Sequence, residues 1–379
     1  SGIKATVGGG MSQNGIFWGA SGGTVVNAAI SFEVVLADGT IVKTGSNFFP
    51  TFGPDITGLF AADCGALGVK ATITLQMVRE GTAFAYGSFS FPEADGYFKA
   101  MSAVSREGLA SECFGFDPNL QAQRMKRESL TKDAQSLVNM MKAQGSAWKA
   151  LKEGAKVVAA GRSFLHDAHF SLHVIAEARH QGAVDADMKA VEAIAVHFGG
   201  HSVENTIPKI LRANPFPPVN SMVGPEGERW VPVHGFLPHS RLVEGWNRIQ
   251  AMFAEHATAM TNNGVTTGAL LCAVNRSTCL IEPVFYWPDE LKDIHRRSVE
   301  SAHLAKLKQF PANESARALV KQLRTSLIGI FRELGATHLQ VGRAYPLKQA
   351  SDPRAWELLQ AVKRTVDPNN LMNPGSLGL

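Results

Sequence analysis

The sequence predicts an α+β fold in which an antiparallel sheet carries helices on one face. From about residue 82 onward, segments with strand-like alternation are followed by segments with helical spacing, and this order repeats along the chain. Before that point, residues 24–45 are rich in β-branched side chains and contain ADGT, a turn signal between two strands. The 379 residues, of which 45% are hydrophobic and 18% charged, are enough for two domains with cores of their own.

Each element follows from a local pattern. Strand segments alternate apolar and polar residues, whereas helical segments repeat apolar residues at helical spacing and are often closed by glycine. Strands are predicted at 68–78, 85–91, 163–178, 228–241 and 269–287, the last as a strand pair. Helices are predicted at 94–109, 185–200, 242–260, 289–310, 314–334 and 353–366. Residues 47–68 are predicted as a loop, because they contain glycine and proline where strands do not tolerate them.

The composition excludes several classes of function. The formal charge is +4 and no run of lysine and arginine is interleaved with aromatic residues, so we expect no nucleic-acid partner. No apolar run approaches the roughly 18 residues of a membrane span. Four cysteines are too few for a disulfide framework, so we expect free thiols and a cytoplasmic location. These cysteines are Cys64, Cys113, Cys272 and Cys279.

A glycine-rich stretch, ATVGGGMSQNGIFWGASGG, occupies residues 5–23. This density of glycine indicates either backbone that approaches a ligand closely or a surface loop. The stretch does not fit the dinucleotide-binding fingerprint, whose third glycine would stand where the chain has Gln13, and we expect strands after it and no helix. The phosphate-binding loop that ends in GK[ST] is also absent.

Four motifs in a fixed order resemble one protein family. TVGGGMSQNG, FEVVLADGTIVKTG, LFAADCGALGVKATITLQM and the C-terminal VDPNNLMNPGSLGL are similar to segments of the flavoprotein oxidases and dehydrogenases that include vanillyl-alcohol oxidase, p-cresol methylhydroxylase and D-lactate dehydrogenase. The resemblance covers residues 5–80 and 330–379, and the middle resembles the family's substrate-binding (cap) domain in general pattern only. One departure is Ser376, where the family often has lysine.

The resemblance implies the second half of a two-subdomain FAD-binding domain plus an antiparallel-sheet cap domain with helices on one face. The implied divisions are 1–81 for the second FAD subdomain, 82–320 for the cap domain and 321–379 for a return to the FAD domain. The family's first FAD subdomain, which carries the main pyrophosphate loop, has no counterpart here, so we expect this chain to be the C-terminal part of a longer flavoprotein. We therefore expect FAD in the full-length protein, and weak or absent FAD binding by this chain alone.

The resemblance also assigns the backbone that would hold FAD. N–H groups in turns form concavities that bind anions, and the missing Cβ of glycine allows close approach. The implied cofactor-binding residues are Gly8, Gly9, Gly10, Gly15, Gly65, Gly68, Val69, Asn373 and Gly375.

The segment THLQVGRAYP contains the main catalytic candidates, because the family places residues that face the flavin there. In an extended segment His338, Gln340 and Gly342 share one side. Arg343 and Tyr345 share the other side, unless a turn at Gly342 intervenes. His338 is the expected base, since the pKa of histidine lies near neutral pH. Arg343 is expected to bind a substrate carboxylate and Tyr345 to add a hydrogen bond. The alternative is a buried strand with a salt-bridged arginine.

Three further residues are reserve candidates. Glu282, in the predicted strand pair, is either a carboxylate on the substrate face or a structural partner of an arginine. Arg241 either reaches a substrate carboxylate or simply follows Ser240, which would cap the next helix. His239 is the reserve base.

The histidines favour structural roles over a metal site. HDAHFSLH places His169 and His173 on one face of a strand and His166 on the other, which gives two metal ligands at best. Some 2-hydroxy-acid dehydrogenases of the family carry a metal on a strand with histidines, whereas the corresponding strand pair here contains only Glu282. We therefore expect no metal.

The expected function is that of an FAD-dependent oxidoreductase, which oxidises a small alcohol by hydride transfer to flavin. The expected substrate is a 2-hydroxy acid such as D-lactate. Two alternatives stay open: a phenolic or benzylic alcohol oxidase, suggested by the aromatic EPVFYW, and a non-catalytic fragment without flavin. A further hypothesis is a metal-dependent hydrolase that uses the histidines. The expected partners are the substrate, an electron acceptor of unknown identity and a second copy of the chain in a homodimer.

Overall fold

The computed structural model describes residues 2–16, 19–127 and 169–379, without the side chains of 124–127. The described chain forms a sheet of three strands and a larger sheet of eight strands, together with helices. Every strand pairing in both sheets is antiparallel. The predicted α+β class is therefore confirmed.

The smaller sheet contains the predicted hairpin. Its strands are β1 (Ala29–Val35), β2 (Ile41–Lys43) and β3 (Val69–Leu75), in the spatial order β2-β1-β3. The ADGT turn joins the first two strands: the Leu36 N–H donates to the Thr40 carbonyl at 2.9 Å. Gly39 takes a φ of 86°, which is a conformation that favours glycine.

The glycine-rich stretch begins with a helix, α1 (Val7–Gln13), where the sequence predicted a loop without a following helix. Thr6 caps this helix by accepting a hydrogen bond from the Gly9 N–H, and Asn14 ends it in the left-handed conformation. Met11 is fully buried against the smaller sheet. The prediction was wrong because glycine disfavours helix in isolation, whereas the cap and the packing decide the outcome here.

The larger sheet follows the repeated strand–helix order of the sequence. Its strands are β4 (Ala83–Phe91), β5 (Glu112–Phe116), β6 (Phe170–Ala178), β7 (His201–Ser202), β8 (Arg229–Pro232), β9 (Gly235–Pro238), β10 (Thr266–Val274) and β11 (Thr278–Trp287). Their spatial order is β7-β4-β6-β5-β10-β11-β8, and β9 pairs with the other end of β11. The sequence did not predict β5, whose few residues carry no clear alternation. The predicted strand 163–178 corresponds to β6, and residues 163–168 lie outside the described residues.

The helices agree with the predicted periodicity in most places. They are α2 (Ile56–Phe60), α3 (Ala94–Glu107), α4 (Pro118–Arg127), α5 (Gln181–His197), α6 (Thr206–Ala213), α7 (Leu242–Glu255), α8 (Ala257–Asn262), α9 (Asp293–Ser298), α10 (Ser301–Leu304), α11 (Glu314–Glu333), α12 (Leu347–Ala350) and α13 (Pro353–Val366). The predicted long helix at 289–310 is wrong: the chain is extended at the β-branched Val299, which separates α9 from α10. Among the described residues, no helix combines the length and the apolarity needed to cross a membrane.

The two faces of the larger sheet differ in chemistry. Helices α3, α5, α7 and α11 cover one face, where Phe91, Trp246 and Phe331 belong to the main core. Because side chains alternate along a strand, β11 turns Ile281 toward these helices and Glu282 toward the opposite face. We call this opposite face the site face. Its apolar residues are Phe114, Phe116, Cys272, Val274, Leu280, Val284 and Tyr286.

Candidate active site

Three loop segments and the end of α1 meet beside the smaller sheet. The loop segments are 61–68, 340–345 and 370–379, and together with the end of α1 we call them the loop junction. The Gly342 N–H donates to Cys64 Sγ at 3.2 Å, and Asn373 Nδ2 donates to the Cys64 carbonyl at 2.7 Å. The Gln340 N–H donates to the Gln13 carbonyl at 3.0 Å. Residues that lie hundreds of positions apart in the sequence are therefore joined by direct hydrogen bonds.

The backbone of the loop junction is strained. With the exception of Asn275, every described non-glycine residue that has a positive φ belongs to it. These residues are Asn14, Ala62, Cys64, Gln340, Asn370, Asn373 and Leu377. Each such conformation costs on the order of 1–3 kcal/mol and persists only where the surrounding structure imposes it. This concentration of strain is typical of binding and catalytic sites.

A buried ion pair holds the first loop segment. Lys70 Nζ lies 2.5 Å from Asp63 Oδ1, and both side chains are almost completely buried. The two carboxylate oxygens of Asp63 also accept hydrogen bonds from the N–H groups of Gly65 and Leu67. A buried charge needs this kind of full pairing, so the pair fixes the course of the loop.

A second buried ion pair ties the C-terminal segment to the first one. Lys363 Nζ lies 2.5 Å from Asp367 Oδ2 and also donates to the carbonyls of Ala66 and Met372. One ammonium group therefore contacts both loops. The relative position of segments 61–68 and 370–379 is fixed by charge-assisted hydrogen bonds.

Two of the glycines implied to hold FAD present open backbone. A Cβ added at Gly10 would meet no atom within 4 Å, and one added at Gly65 would meet only Asn373 Nδ2, at 3.9 Å. Asn373 and Gly375 lie across the loop junction from Gly65, and Gly375 has a φ of 79°. The N–H groups of Gly10 and Gly65 already donate to the Thr6 carbonyl and to Asp63 Oδ1, so what both positions offer a large group such as FAD is open space beside the chain.

The other implied cofactor residues also have structural contacts. A Cβ at Gly8 would lie 3.2 Å from a carbonyl oxygen of β3, and one at Gly68 would lie 2.4 Å from a valine of β1, so both glycines permit close packing. Gly9 donates to the side chain that caps α1, and the Gly15 N–H donates to a carbonyl of the same helix. Val69 begins β3 and is more than half exposed.

Four titratable side chains gather beside the loop junction, at the edge of the site face. Tyr345 Oη lies 3.2 Å from His234 Nδ1, which lies 3.9 Å from Glu282 Oε2. The rings of His338 and Tyr345 stack, with centroids 4.1 Å apart. We call these four residues the His–Tyr–Glu cluster. It joins three of the predicted catalytic candidates and adds His234, which the sequence did not single out.

Burial shifts the pKa of each group in the His–Tyr–Glu cluster toward its uncharged form. Burial raises the pKa of Glu282 to about 7 and lowers the pKa of His234 to about 4. It also raises the pKa of Tyr345 to about 12 and lowers the pKa of His338. Near neutral pH the two histidines and the tyrosine are therefore uncharged, and Glu282 is the group that titrates.

His234 can hold its single proton on either ring nitrogen. Its Nε2 lies 2.9 Å from the Leu339 carbonyl oxygen and 3.0 Å from the Leu339 N–H nitrogen, so it can donate to one or accept from the other. In the first arrangement His234 Nδ1 accepts the hydroxyl proton of Tyr345, and in the second it donates to the Tyr345 oxygen. The main-chain N–H of His234 also donates to that oxygen, at 3.0 Å. The Tyr345 hydroxyl is therefore firmly oriented.

One ring nitrogen of His338 makes a hydrogen bond to the main chain, and the other has no hydrogen bond within the described residues. Its Nδ1–H donates to the His234 carbonyl at 2.6 Å. The neutral ring then carries a lone pair on Nε2. A fixed tautomer with a free lone pair is what a general base requires.

The segment around Arg343 is a turn and not the extended strand that the sequence predicted. Gln340 and Gly342 have φ values of 50° and 48°, which reverse the chain. The turn at Gly342 was the alternative, and it explains how His338 and Tyr345 come to lie on the same side. The Arg343 guanidinium is exposed and donates to the Pro374 carbonyl. Within the described residues Arg343 forms no ion pair.

His239 and Arg241 lie away from the His–Tyr–Glu cluster. His239 Nδ1 lies 3.8 Å from Cys279 Sγ, and Cys279 belongs to the helix-covered face of the sheet. Arg241 pairs with Glu244 on the surface at 2.6 Å. Ser240 makes no capping hydrogen bond to α7. Within the described residues, neither reserve candidate contacts the His–Tyr–Glu cluster, so their catalytic roles stay predictions.

The histidines of the HDAHFSLH segment pair with serines of β4. His173 Nδ1 lies 2.9 Å from Ser88 Oγ, and His169 Nδ1 lies 3.2 Å from Ser90 Oγ. His166 lies outside the described residues. Across the part of the chain that the structure describes, no three histidine, cysteine or carboxylate side chains gather in a metal-binding arrangement.

His234 carried a weak signal in the sequence. It stands in VPVHGFLP, where one histidine separates two short strand segments. The following Gly235 allows the Phe331 ring to pack closely, since an added Cβ would lie 2.4 Å from it. Only the pairing of β8 and β9 with the same strand, β11, brings His234 next to Glu282.

The C-terminal part of the chain matches a known family. Residues 340–377 match the family described as FAD linked oxidases, C-terminal domain. The matched segment contains loop segment 340–345, which includes Tyr345, and residues 370–377 of the C-terminal loop segment. No sequence among the curated proteins matches the chain.

Solved structures share the fold over nearly the whole chain at low sequence identity. Alkyldihydroxyacetonephosphate synthase, in two crystal forms, gives TM-scores of 0.62 and 0.58 at 14% identity over 97% of this chain. The second protein, 4-ethylphenol oxidase from Gulosibacter chungangensis in complex with isoeugenol, gives a TM-score of 0.60 at 13% identity over 99% of this chain. The chain spans 58% and 57% of the synthase structures and 70% of the oxidase.

The sequence match and the shared fold agree on the same part of the molecule. The segment that matches the family is the one whose turns form the loop junction, against the open glycine backbone near α1. Residues 340–377 therefore match the C-terminal domain of FAD linked oxidases, and the described chain shares the fold of the two solved proteins.

Proposed function

We propose that the protein is an FAD-dependent oxidoreductase that oxidises a small alcohol, and that the alcohol is a 2-hydroxy acid such as D-lactate. The observation that carries the proposal is that the His338–Tyr345 stack adjoins the loop junction built by the matched FAD-oxidase segment. If the loop junction holds FAD, the cofactor would lie next to an oriented acid–base cluster. A cytoplasmic location, a homodimer and the division of the chain at residues 81 and 320 stay predictions.

The loop junction would hold FAD through its backbone. Gly10 and Gly65 would leave room for the cofactor, and Asn373 lies next to Gly65 from the C-terminal segment. Bound FAD supplies the hydride acceptor, which amino-acid side chains lack. The two buried ion pairs keep this backbone in place before the cofactor arrives, so less ordering is needed on binding.

The side chains of the His–Tyr–Glu cluster have distinct roles in the proposed reaction. His338 Nε2 takes the hydroxyl proton of the substrate, because its lone pair is free and the ring is neutral at pH 7. In the arrangement in which His234 Nδ1 donates to the Tyr345 oxygen, the hydroxyl proton of Tyr345 is free to donate a hydrogen bond to the substrate oxygen. Glu282, whose pKa is raised to about 7 by burial, can hold or release a proton near neutral pH, with its carboxylate 3.9 Å from His234 Nδ1. Arg343 binds the carboxylate of the acid.

A phenolic alcohol is the second candidate substrate. The site face is rich in aromatic rings: Phe114 and Phe116 lie with centroids 6.1 Å apart, and Tyr286 belongs to the same cluster. Aromatic walls of this kind suit an aromatic substrate. One solved structure with the same fold is a 4-ethylphenol oxidase. A protein that keeps the fold without flavin is the third candidate, since the chain spans 58% of the synthase structure.

One experiment separates these three candidates. The full gene product is purified, supplied with FAD and mixed without oxygen with D-lactate or with 4-ethylphenol, and the visible flavin absorption is followed. The proposal predicts that D-lactate bleaches the flavin and that 4-ethylphenol does not. Bleaching by 4-ethylphenol alone would support the phenolic substrate. A protein that retains no flavin would support the third candidate, a protein that keeps the fold but is not a flavoenzyme.

A further inference from the structure

A cavity of about 580 Å³ lies between α11, the turn that follows Gly342 and the C-terminal turn. Its walls are Thr325 and Ile328 of α11, residues 342–349 and the residues Gly375, Leu377 and Gly378. Volumes of this size are typical of sites for substrates and cofactors. The cavity shares Tyr345 with the His–Tyr–Glu cluster.

The walls of the cavity carry positive charge. Arg343 and Lys348 both line it, and the described lining residues include neither aspartate nor glutamate. Both side chains are exposed, and neither forms an ion pair within the described residues. The rest of the lining is mainly apolar, with Ile328, Pro346 and Leu347. Two cations above an apolar floor suit a ligand with one acidic end and an apolar body.

A third cation lies beside the cavity. Arg324 is one helical turn before Ile328 on α11, so both residues project from the same side of the helix. Its Nε is buried and has no hydrogen-bond partner among the described residues. Its positive charge acts on the Tyr345 hydroxyl and opposes the rise in the pKa of that group. A buried guanidinium nitrogen without a partner is costly, and a bound anion would satisfy it.

A smaller cavity near α3 is also lined by cationic side chains, but one of them is already paired with a carboxylate. That space, of about 240 Å³, is lined by Lys99, Arg106 and His239 among others. Lys99 already pairs with Asp95 at 2.6 Å. The cavity beside α11 is larger and its cations are unpaired, so it is the stronger site for an anion.

We propose that the cavity beside α11 binds a small organic anion, a carboxylate or a phosphate monoester, through Arg324, Arg343 and Lys348. Carboxylate and phosphate share the geometry that a guanidinium fork recognises with two parallel hydrogen bonds. The anion has two conceivable sources, which are the acid group of a substrate and a phosphate of FAD. The inference concerns binding alone, and it holds whether or not the oxidation of a 2-hydroxy acid is correct.

The test is a calorimetric titration of the full gene product at low salt, first with inorganic phosphate and then with D-lactate. Binding of either anion is expected, and Arg324→Ala should weaken it about tenfold or more, the effect of losing one charge-assisted hydrogen bond. Arg324→Lys should restore part of the affinity. Lys321→Ala, which removes an exposed cation from the same helix outside the cavity, should leave the affinity unchanged.

Three outcomes would overturn the proposal. They are the absence of binding by the wild-type protein, unchanged affinity in both Arg324→Ala and Arg343→Ala, and an equal loss of affinity in Lys321→Ala. Circular dichroism shows that each variant is folded. Competition by added FAD identifies the anion as a cofactor phosphate, whereas displacement of phosphate by D-lactate alone identifies it as the substrate acid. Because 4-ethylphenol is neutral, it should not displace phosphate in either case.

Discussion

Asn373 Nδ2 donates a hydrogen bond to the main-chain carbonyl of Cys64 at 2.7 Å, across 309 residues of sequence. This bond closes the loop junction between the segment after α2 and the end of the chain. Both residues have positive φ values, 42° for Asn373 and 49° for Cys64. This bond joins two strained turns directly, so the stability of the loop junction should depend on it.

Replacement of Asn373 by alanine should lower the free energy of unfolding by about 1–3 kcal/mol, because the Cys64 carbonyl loses its shorter hydrogen bond and keeps only the one from Ser376 Oγ at 3.4 Å, and because alanine tolerates positive φ less well than asparagine. The matched control is Asn370→Ala, since Asn370 also has a positive φ, 49°, and is exposed like Asn373, but its side chain makes no hydrogen bond within the described residues. Urea unfolding of both variants separates the hydrogen bond from the backbone preference. Equal losses in the two variants would mean that the bond to Cys64 contributes nothing.

The buried ion pair of Lys70 and Asp63 should contribute far more to the free energy of unfolding than an ion pair on the surface. Asp63→Asn leaves the Lys70 ammonium buried without its counter-charge, which is expected to cost about 3–5 kcal/mol of unfolding free energy. Asp95→Asn, which breaks the exposed pair with Lys99, should cost about 0–1 kcal/mol. Chemical denaturation measures both. If Asp63→Asn lowers the free energy of unfolding no more than Asp95→Asn does, the buried ion pair does not hold the first loop segment.

Glu282 should make stability depend on pH. Its pKa is about 7 in the folded protein, against 4.5 for the free side chain, so the folded state favours the protonated form. Its contribution is fully present below about pH 4.5 and is lost as the pH rises through about 7. His234 acts in the opposite sense, since its lowered pKa of about 4 contributes stability above about pH 6.5 that is lost as the pH falls through 4.

Comparison with Glu282→Gln isolates the first of these effects. The difference in unfolding free energy between the wild type and this variant should fall by up to about 3 kcal/mol between pH 4.5 and 8. Urea unfolding at several pH values measures this difference, and the contribution of His234 cancels in it. A difference that stays constant over the range would show that folding does not shift the pKa of Glu282.

Arg343→Lys should change substrate binding more than turnover. A lysine keeps the charge but cannot form two parallel hydrogen bonds with a carboxylate, so we expect KM for a 2-hydroxy acid to rise about tenfold. The value of kcat should stay close to that of the wild type, because the contact is equally strong in the ground state and the transition state. Steady-state kinetics of the flavin-loaded protein provide both constants. A fall in kcat at constant KM would remove Arg343 from the binding role.

The regular elements could be predicted from the sequence, because their signals are local. Alternation identified β4 and β6, and helical spacing identified α3 and α11. The helix α1 was missed, since three consecutive glycines weigh against a helix and only the Thr6 cap reveals it. The left-handed turns at Cys64 and Gln340 are invisible in the sequence, because nothing in these residue types requires a positive φ; tertiary contacts impose it.

Some residues of the candidate site could be predicted from the sequence. The family resemblance selected His338 and Tyr345, which stack in the structure. His234 and Arg324 were not selected, for different reasons. His234 acquires its role from the pairing of distant strands, and Arg324 sits in an amphipathic helix where an arginine ordinarily faces solvent. Its position beside the cavity appears only once α11 is packed against the C-terminal turn.

The central claim, that His338 is the base in a flavin-dependent oxidation, is tested most directly by the turnover of His338→Ala in the flavin-loaded full gene product. The account predicts that kcat falls by about 10²–10⁴ while the flavin spectrum and the stability stay close to those of the wild type. His239→Ala, which alters a histidine on the other face of the sheet, should keep near-normal turnover. If His338→Ala retains the wild-type kcat with flavin bound, the claim is contradicted and the His338–Tyr345 stack is structural.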